Sequence, residues 1–121
     1  DTFDAEVKNS EIPVVVDFGA TWCGPCKSEH PVFLDGARRM KDRVTFLGVV
    51  YQDELENIQR FEQTFGTWGS TLIDVEGTAA IAYGVYGVPE SYVIYAEGVI
   101  RHKFVGPVSA GALAEQLRKV L

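Results

Sequence analysis

The chain has 121 residues, with 11 Lys and Arg against 17 Asp and Glu, for a formal charge of −6. Hydrophobic residues at 46% and charged residues at 23% fit one globular domain over residues 1–121 and exclude a disordered chain. The acidic balance argues against a nucleic-acid partner, because phosphate binding needs a basic face, and no run reaches the ~18–20 apolar residues of a membrane helix.

Residues 1–9 read as a short polar helix with Phe3 and Val7 on one face. Residues 12–18 are nearly continuous apolar and β-branched, as in a central strand covered on both faces, yet Asp17 lies among them. A helix is expected over 25–40, with Phe33, Ala37 and Met40 on one side and a kink at Pro31, which lacks a backbone donor. A second buried strand follows over 44–51. Residues 54–65 carry Leu55, Ile58, Phe61 and Phe65 at helical spacing; Asp53 and Glu56 resemble a capping box, and Gly66 a stop. Residues 70–73 form a possible short strand, and 78–83 a short helix closed by Gly84. Residues 91–96 and 99–105 pair as a hairpin around Glu97-Gly98. Ser109 caps a last helix, with Leu113, Leu117 and Leu121 four apart. This order predicts an α/β mixed sheet with helices on both faces.

The two cysteines of the chain sit in Trp22-Cys23-Gly24-Pro25-Cys26, between a buried strand and a helix. A helix N-terminus carries partial positive charge and free N–H groups, which favour a thiolate at Cys23. Cys26, about one turn on, can resolve a mixed disulfide; Gly24 and Pro25 permit and restrict the turn. Three alternatives compete with redox exchange. Half a zinc site would need further ligands, and His30 and His102 lack ligand-like spacing. A structural bridge this short constrains little chain entropy. Cys23 could also be a small core residue. No metal or cofactor signature is present, and exchange needs none.

The segment Phe18-Gly-Ala-Thr-Trp-Cys-Gly-Pro-Cys-Lys27 resembles the active site of the thioredoxin superfamily, and the likeness runs over almost the whole chain. The resemblance implies a thioredoxin fold. It makes Asp17, six residues before Cys23, the buried carboxylate beneath the cysteines and a proton acceptor for Cys26; otherwise Asp17 would sit at an exposed strand end. It makes Val88-Pro89 a cis-proline site facing the CxxC and offering backbone groups to an extended substrate. Phe104-Val-Gly106 before the last helix also matches the family pattern.

Cys23 and Pro89 are 66 residues apart, a wider spacing than in ordinary thioredoxins. The surplus reads as an insertion at about 53–76, the mark of the TlpA-like branch that includes ResA and CcmG (DsbE). The run WCGPCKSEHP places that branch's acidic residue at Glu29, three residues after Cys26; by spacing alone, Glu29 would be a solvated surface charge. Gly84-Val-Tyr-Gly-Val-Pro-Glu90 and Val99-Ile-Arg-His-Lys-Phe-Val-Gly106 are similar to the CcmG pattern. The opening residues and the CGPC sequence are closer to plain thioredoxins.

The resemblance implies a thiol–disulfide oxidoreductase acting as a reductant. Cys23 and Cys26 would form the redox-active disulfide, with Asp17 and Glu29 assisting. Trp22, Gly24, Pro25, Val88, Pro89 and Glu90 would form the docking surface, with Tyr86 beside it and Trp68 without a role. It implies a monomer outside the cytoplasm, a leader or anchor having been removed unless the chain is an expressed fragment. Its partners would be protein thiols and disulfides, such as apocytochrome c, and an electron donor of the DsbD or CcdA type. A general cytosolic thioredoxin and a redox-inert binding module are the alternatives.

Overall fold

A computed structural model describes residues 7–74 and 76–121. The predicted helix over 1–9 lies mostly outside them; Val7 is helical and buried. The sheet centres on β1 (Val14–Gly19), which runs parallel to β2 (Thr45–Tyr51) and antiparallel to β4 (Glu90–Ile94). Beyond β2 lies β3 (Ser70–Asp74), parallel to it, and beyond β4 lies β5 (Ile100–Val105), antiparallel to it. The strand order is thus β3-β2-β1-β4-β5, the mixed sheet of a thioredoxin fold.

The β-branched run of β1 is covered on both faces because alternate side chains leave a strand on opposite sides. Val14, Val16 and Phe18 pack with Leu47, Val49, Ala80, Tyr92 and Ile94. Val15 packs on the other face with Phe33, Phe46, Val93, Leu113 and Leu117. Phe33 comes from α1 (Gly24–Arg39), Leu113 and Leu117 from α4 (Ala110–Val120), which Ser109 caps by accepting from Ala112 N at 3.2 Å. By parity, Asp17 points to the same face as Val15, towards α1.

The segment between β2 and the later half of the fold forms α2 (Leu55–Phe65) and β3. Gly66, at φ +84°, ends α2 in a conformation that favours glycine. The expected capping box does not form. Glu54 takes the N-cap position without a side-chain bond, because the Asp53 carboxylate is engaged across the fold by Thr21. The apolar stripe is helical as predicted, but of its four members only Ile58 is buried; Leu55 and Phe65 are exposed. The short helix α3 (Thr78–Tyr83) follows, closed by Gly84, and β4 and β5 form the expected hairpin.

Candidate redox site

The strand β1 ends where α1 begins. Cys23 N donates to Ala20 O at 3.2 Å, and the Cys23 side chain takes the N-cap position, its Sγ accepting from Cys26 N at 3.1 Å. Cys23 and Cys26 are joined as a disulfide with Cα atoms 5.3 Å apart. When the bridge is open, the same N-terminal N–H groups and helix dipole favour charge on Cys23. Gly24 and Pro25 form the exposed turn between the sulfurs.

Facing this turn, the Val88–Pro89 peptide is cis. Val88 O lies 3.7 Å from Cys23 Sγ, and the Val88 side chain packs against Ala20, Cys23 and Cys26. Trp22 is 61% exposed, yet its Nε1 donates to Gln52 O at 3.1 Å. An apolar, solvent-facing wall thus stands beside the sulfurs, and Tyr86, fully exposed, stands three residues before Pro89.

Beneath the sulfurs lies a pair of buried carboxyls. Asp17 is 5% and Glu29 2% exposed, so neither the exposed strand end nor the solvated surface charge describes them. Glu29 Oε2 accepts from Val108 N at 3.0 Å. Asp17 and Glu29 are within hydrogen-bonding reach of each other, while Asp17 Oδ1 and Glu29 Oε1 meet no donor. Burial, and then the Glu29 charge, pushes the Asp17 carboxyl well above the usual carboxylate range. Burial also raises Glu29, opposed by its bonds to Asp17 and Val108 N. Both carboxyls are thus pushed towards the protonated form, Asp17 the more strongly. A Cβ built on Gly19 would lie 3.5 Å from Cys26 Sγ and 3.8 Å from Asp17 Oδ2. The glycine leaves open the gap between sulfur and carboxyl.

Glu90 does not face the cleft as a docking residue would. It is 3% exposed; Oε2 accepts from Tyr86 N and Gly87 N at 3.1 and 3.3 Å, and Oε1 pairs with Lys103 Nζ at 3.0 Å. It supports the loop that delivers Val88 and Pro89 from beneath, and it is not a surface charge either.

Two contacts escaped the sequence reading. His30, weighed there only as a metal ligand, places Nε2 2.9 Å from Gly66 O and packs its ring on Phe61 and Trp68. Its spacing of four from Cys26, on one helix face, was the available signal. Asp53 binds Thr21 N and Oγ1, which no local pattern announces. Between α1 and the inserted segment lies a cavity of about 70 Å³ whose wall includes Asp17, Cys26, His30, Phe61 and Trp68.

A disulfide at a helix N-terminus, a cis proline against it and a buried carboxylate below define a thioredoxin-type redox site. The Thioredoxin family model matches residues 1–64, just over half of the chain, and the chain belongs to that family. It is 39% identical over 115 residues to the thiol:disulfide interchange protein CycY of Rhizobium leguminosarum bv. viciae, covering 94% of this chain and 60% of the relative. It is 34% identical to the thiol:disulfide interchange protein DsbE of Pseudomonas aeruginosa, covering 94% and 61%. The chain thus spans about three fifths of the curated relatives it matches. Among solved structures, MTB DsbF superposes with a TM-score of 0.86 at 26% identity, covering 93% of this chain and 83% of that one. A thiol:disulfide interchange protein from Chlorobium tepidum does so with 0.81 at 29%, covering 97% and 83%.

Proposed function

We propose that this chain is a thiol–disulfide oxidoreductase that reduces protein disulfides, acting as a single domain over residues 1–121. The observation that carries the reading is Cys23 at the N-cap of α1, with its sulfur 3.7 Å from the Val88 carbonyl and a buried carboxyl pair beneath Cys26. The Cys23 thiolate attacks one sulfur of a substrate disulfide, and the other sulfur leaves as a thiolate that takes a proton from solvent. The Asp17–Glu29 pair then accepts the Cys26 proton. The Cys26 thiolate attacks Cys23 Sγ, closing the bridge and releasing the second substrate thiol. Two electrons pass to the substrate, and a dithiol donor restores the reduced pair. Trp22, Gly24, Pro25, Val88 and Pro89 form the surface on which an extended substrate docks, with Glu90 as its support.

The inserted α2–β3 unit and the DsbE and CycY relatives favour a specialised extracytoplasmic reductant over a general cytosolic thioredoxin. In this reading the monomeric protein keeps apocytochrome c thiols reduced and draws electrons from a DsbD- or CcdA-type donor. Two measurements test it. The Cys23–Cys26 couple should have a midpoint near the roughly −270 mV of thioredoxin, and a value near the roughly −120 mV of DsbA would make it a disulfide donor instead. The Cys26→Ser variant should trap a mixed disulfide through Cys23 with an oxidised CxxCH peptide; no adduct would leave a redox-inert binding module.

A further inference from the structure

Residues just outside the two ends of α2 bond to the chain before and after the cysteine pair. At its start, Asp53 Oδ2 accepts from both Thr21 N and Thr21 Oγ1, each at 2.6 Å. Thr21 stands two residues before Cys23. Gln52, next to Asp53, adopts φ +47°, a left-handed conformation uncommon for its residue type. In that conformation its carbonyl accepts from Trp22 Nε1. At the other end of α2, Gly66 O receives His30 Nε2; a carbonyl only accepts, so Nε2 carries the hydrogen. His30 lies one helical turn beyond Cys26, on the same face. Backbone and hydroxyl of Thr21 are thus tied to one carboxylate by charge-assisted bonds, the stronger kind. A carboxylate serving α2 alone would direct its oxygens to the first N–H groups of that helix. Here Oδ1 accepts from Glu54 N at 2.8 Å, the carboxylate also meets the Asn57 side chain, and Oδ2 faces Thr21. Burial pushes the Asp53 carboxyl up, but its bonds to Thr21, and then to Glu54 N and Asn57, bring it below the ordinary value.

We propose that α2 is a two-ended brace for the redox turn: Asp53 and His30 are positioning residues that hold Thr21 and α1 on either side of Cys23–Cys26, and so set the place from which Cys23 attacks. The proposal rests on the exchange reading above. It gives the insertion a role in the chemistry although, among its described residues, none meets a sulfur in a hydrogen bond.

The test uses the reduced Cys26→Ser protein, whose Cys23 reacts once with 5,5′-dithiobis(2-nitrobenzoate), followed by stopped flow at fixed pH. In this background Asp53→Ala should slow the attack about tenfold or more, since small misplacements of reacting groups carry large rate penalties. Asp53→Asn, which keeps an acceptor oxygen for Thr21 but no charge, should return the rate to within about threefold of the parent. Thr21→Val, nearly isosteric, should slow it by a smaller factor. Glu56→Ala is the control, because Glu56 lies on α2 in an exposed pair with Arg60, and should change nothing. In the protein with both cysteines, His30→Phe should slow closure of the mixed disulfide. A rate for Asp53→Ala within twofold of the parent overturns the brace. So does a rate for Asp53→Asn as slow as for Asp53→Ala, because the effect would then be charge and not position. If Asp53→Ala fails to fold, an unchanged rate for Thr21→Val overturns it. Failure of the exchange reading itself would show separately, as no mixed disulfide with the oxidised peptide in the parent.

Discussion

Asp17 and Glu29 share one buried site but differ in their anchors. Glu29 is fixed by Val108 N, which favours its charge, whereas Asp17 is raised by burial and by its neighbour. A carboxyl that binds its proton more tightly folded than unfolded stabilises the fold below its unfolded value, about 3.9 for Asp. That contribution is lost as pH climbs through the folded value. Asp17→Asn has no charge to desolvate. It should therefore be more stable than the parent at pH 8, by on the order of 1 kcal/mol or more, or a few degrees in Tm. The gap should close towards pH 4, as calorimetry across that range would read. On the proposed mechanism the same variant should slow the resolving step, because one of the two carboxyls that take up the Cys26 proton is gone. Glu29→Gln should lower the Cys26 pKa, since a nearby negative charge holds the thiol protonated; an unchanged thiol titration would disconnect Glu29 from the sulfur.

The elements around the site are held by contacts that sequence periodicity does not report. Strand β1, α1 and the hairpin were legible because a nearly continuous β-branched run, a helix-opening Cys-Gly-Pro and a Glu-Gly turn are local signals. The failed capping box was not legible, because its competing donors lie on Thr21, 32 residues away. Nor was the shallow burial of α2, since a 3.6-residue stripe gives the side that faces inward and not how much sheet lies beneath it. Glu90 shows the same limit: its position was singled out, but not its burial under the loop. Glu90→Ala would orphan Tyr86 N and Gly87 N and should cost about 1–3 kcal/mol in denaturant unfolding. Glu90→Gln, which keeps an acceptor, should recover much of that. Gly69→Ala should be worse, because its Cβ would sit 2.6 Å from Phe46 O. The backbone must move, and a loss of about 2–4 kcal/mol with detachment of β3 is expected, visible as lost amide protection in residues 70–74.

At the scale of the whole molecule, the formal charge of −6 sets the long-range field. A disulfide peptide carrying lysines should be reduced a few-fold faster than an acidic one at low salt. The ratio should fall towards unity near 0.5 M salt, where charges are screened within a few ångströms; a ratio indifferent to salt would mean that local contacts alone select substrates. The thioredoxin fold itself was legible, because the strand–CxxC–helix unit and the Val-Pro pair carry the family pattern. The contacts that assemble them were not, being made between residues far apart in the chain.

The antiparallel run of β4 beside β1 places residues 65 apart, Cys23 and Val88, against each other. The cysteines lie in the first half of the chain and the proline that faces them lies in the second. During synthesis the thiols emerge first, bare of the wall that later orients their partners. The site is therefore an assembled property: a chain carrying both cysteines but lacking β4 would have the sulfurs without the cis proline that faces them.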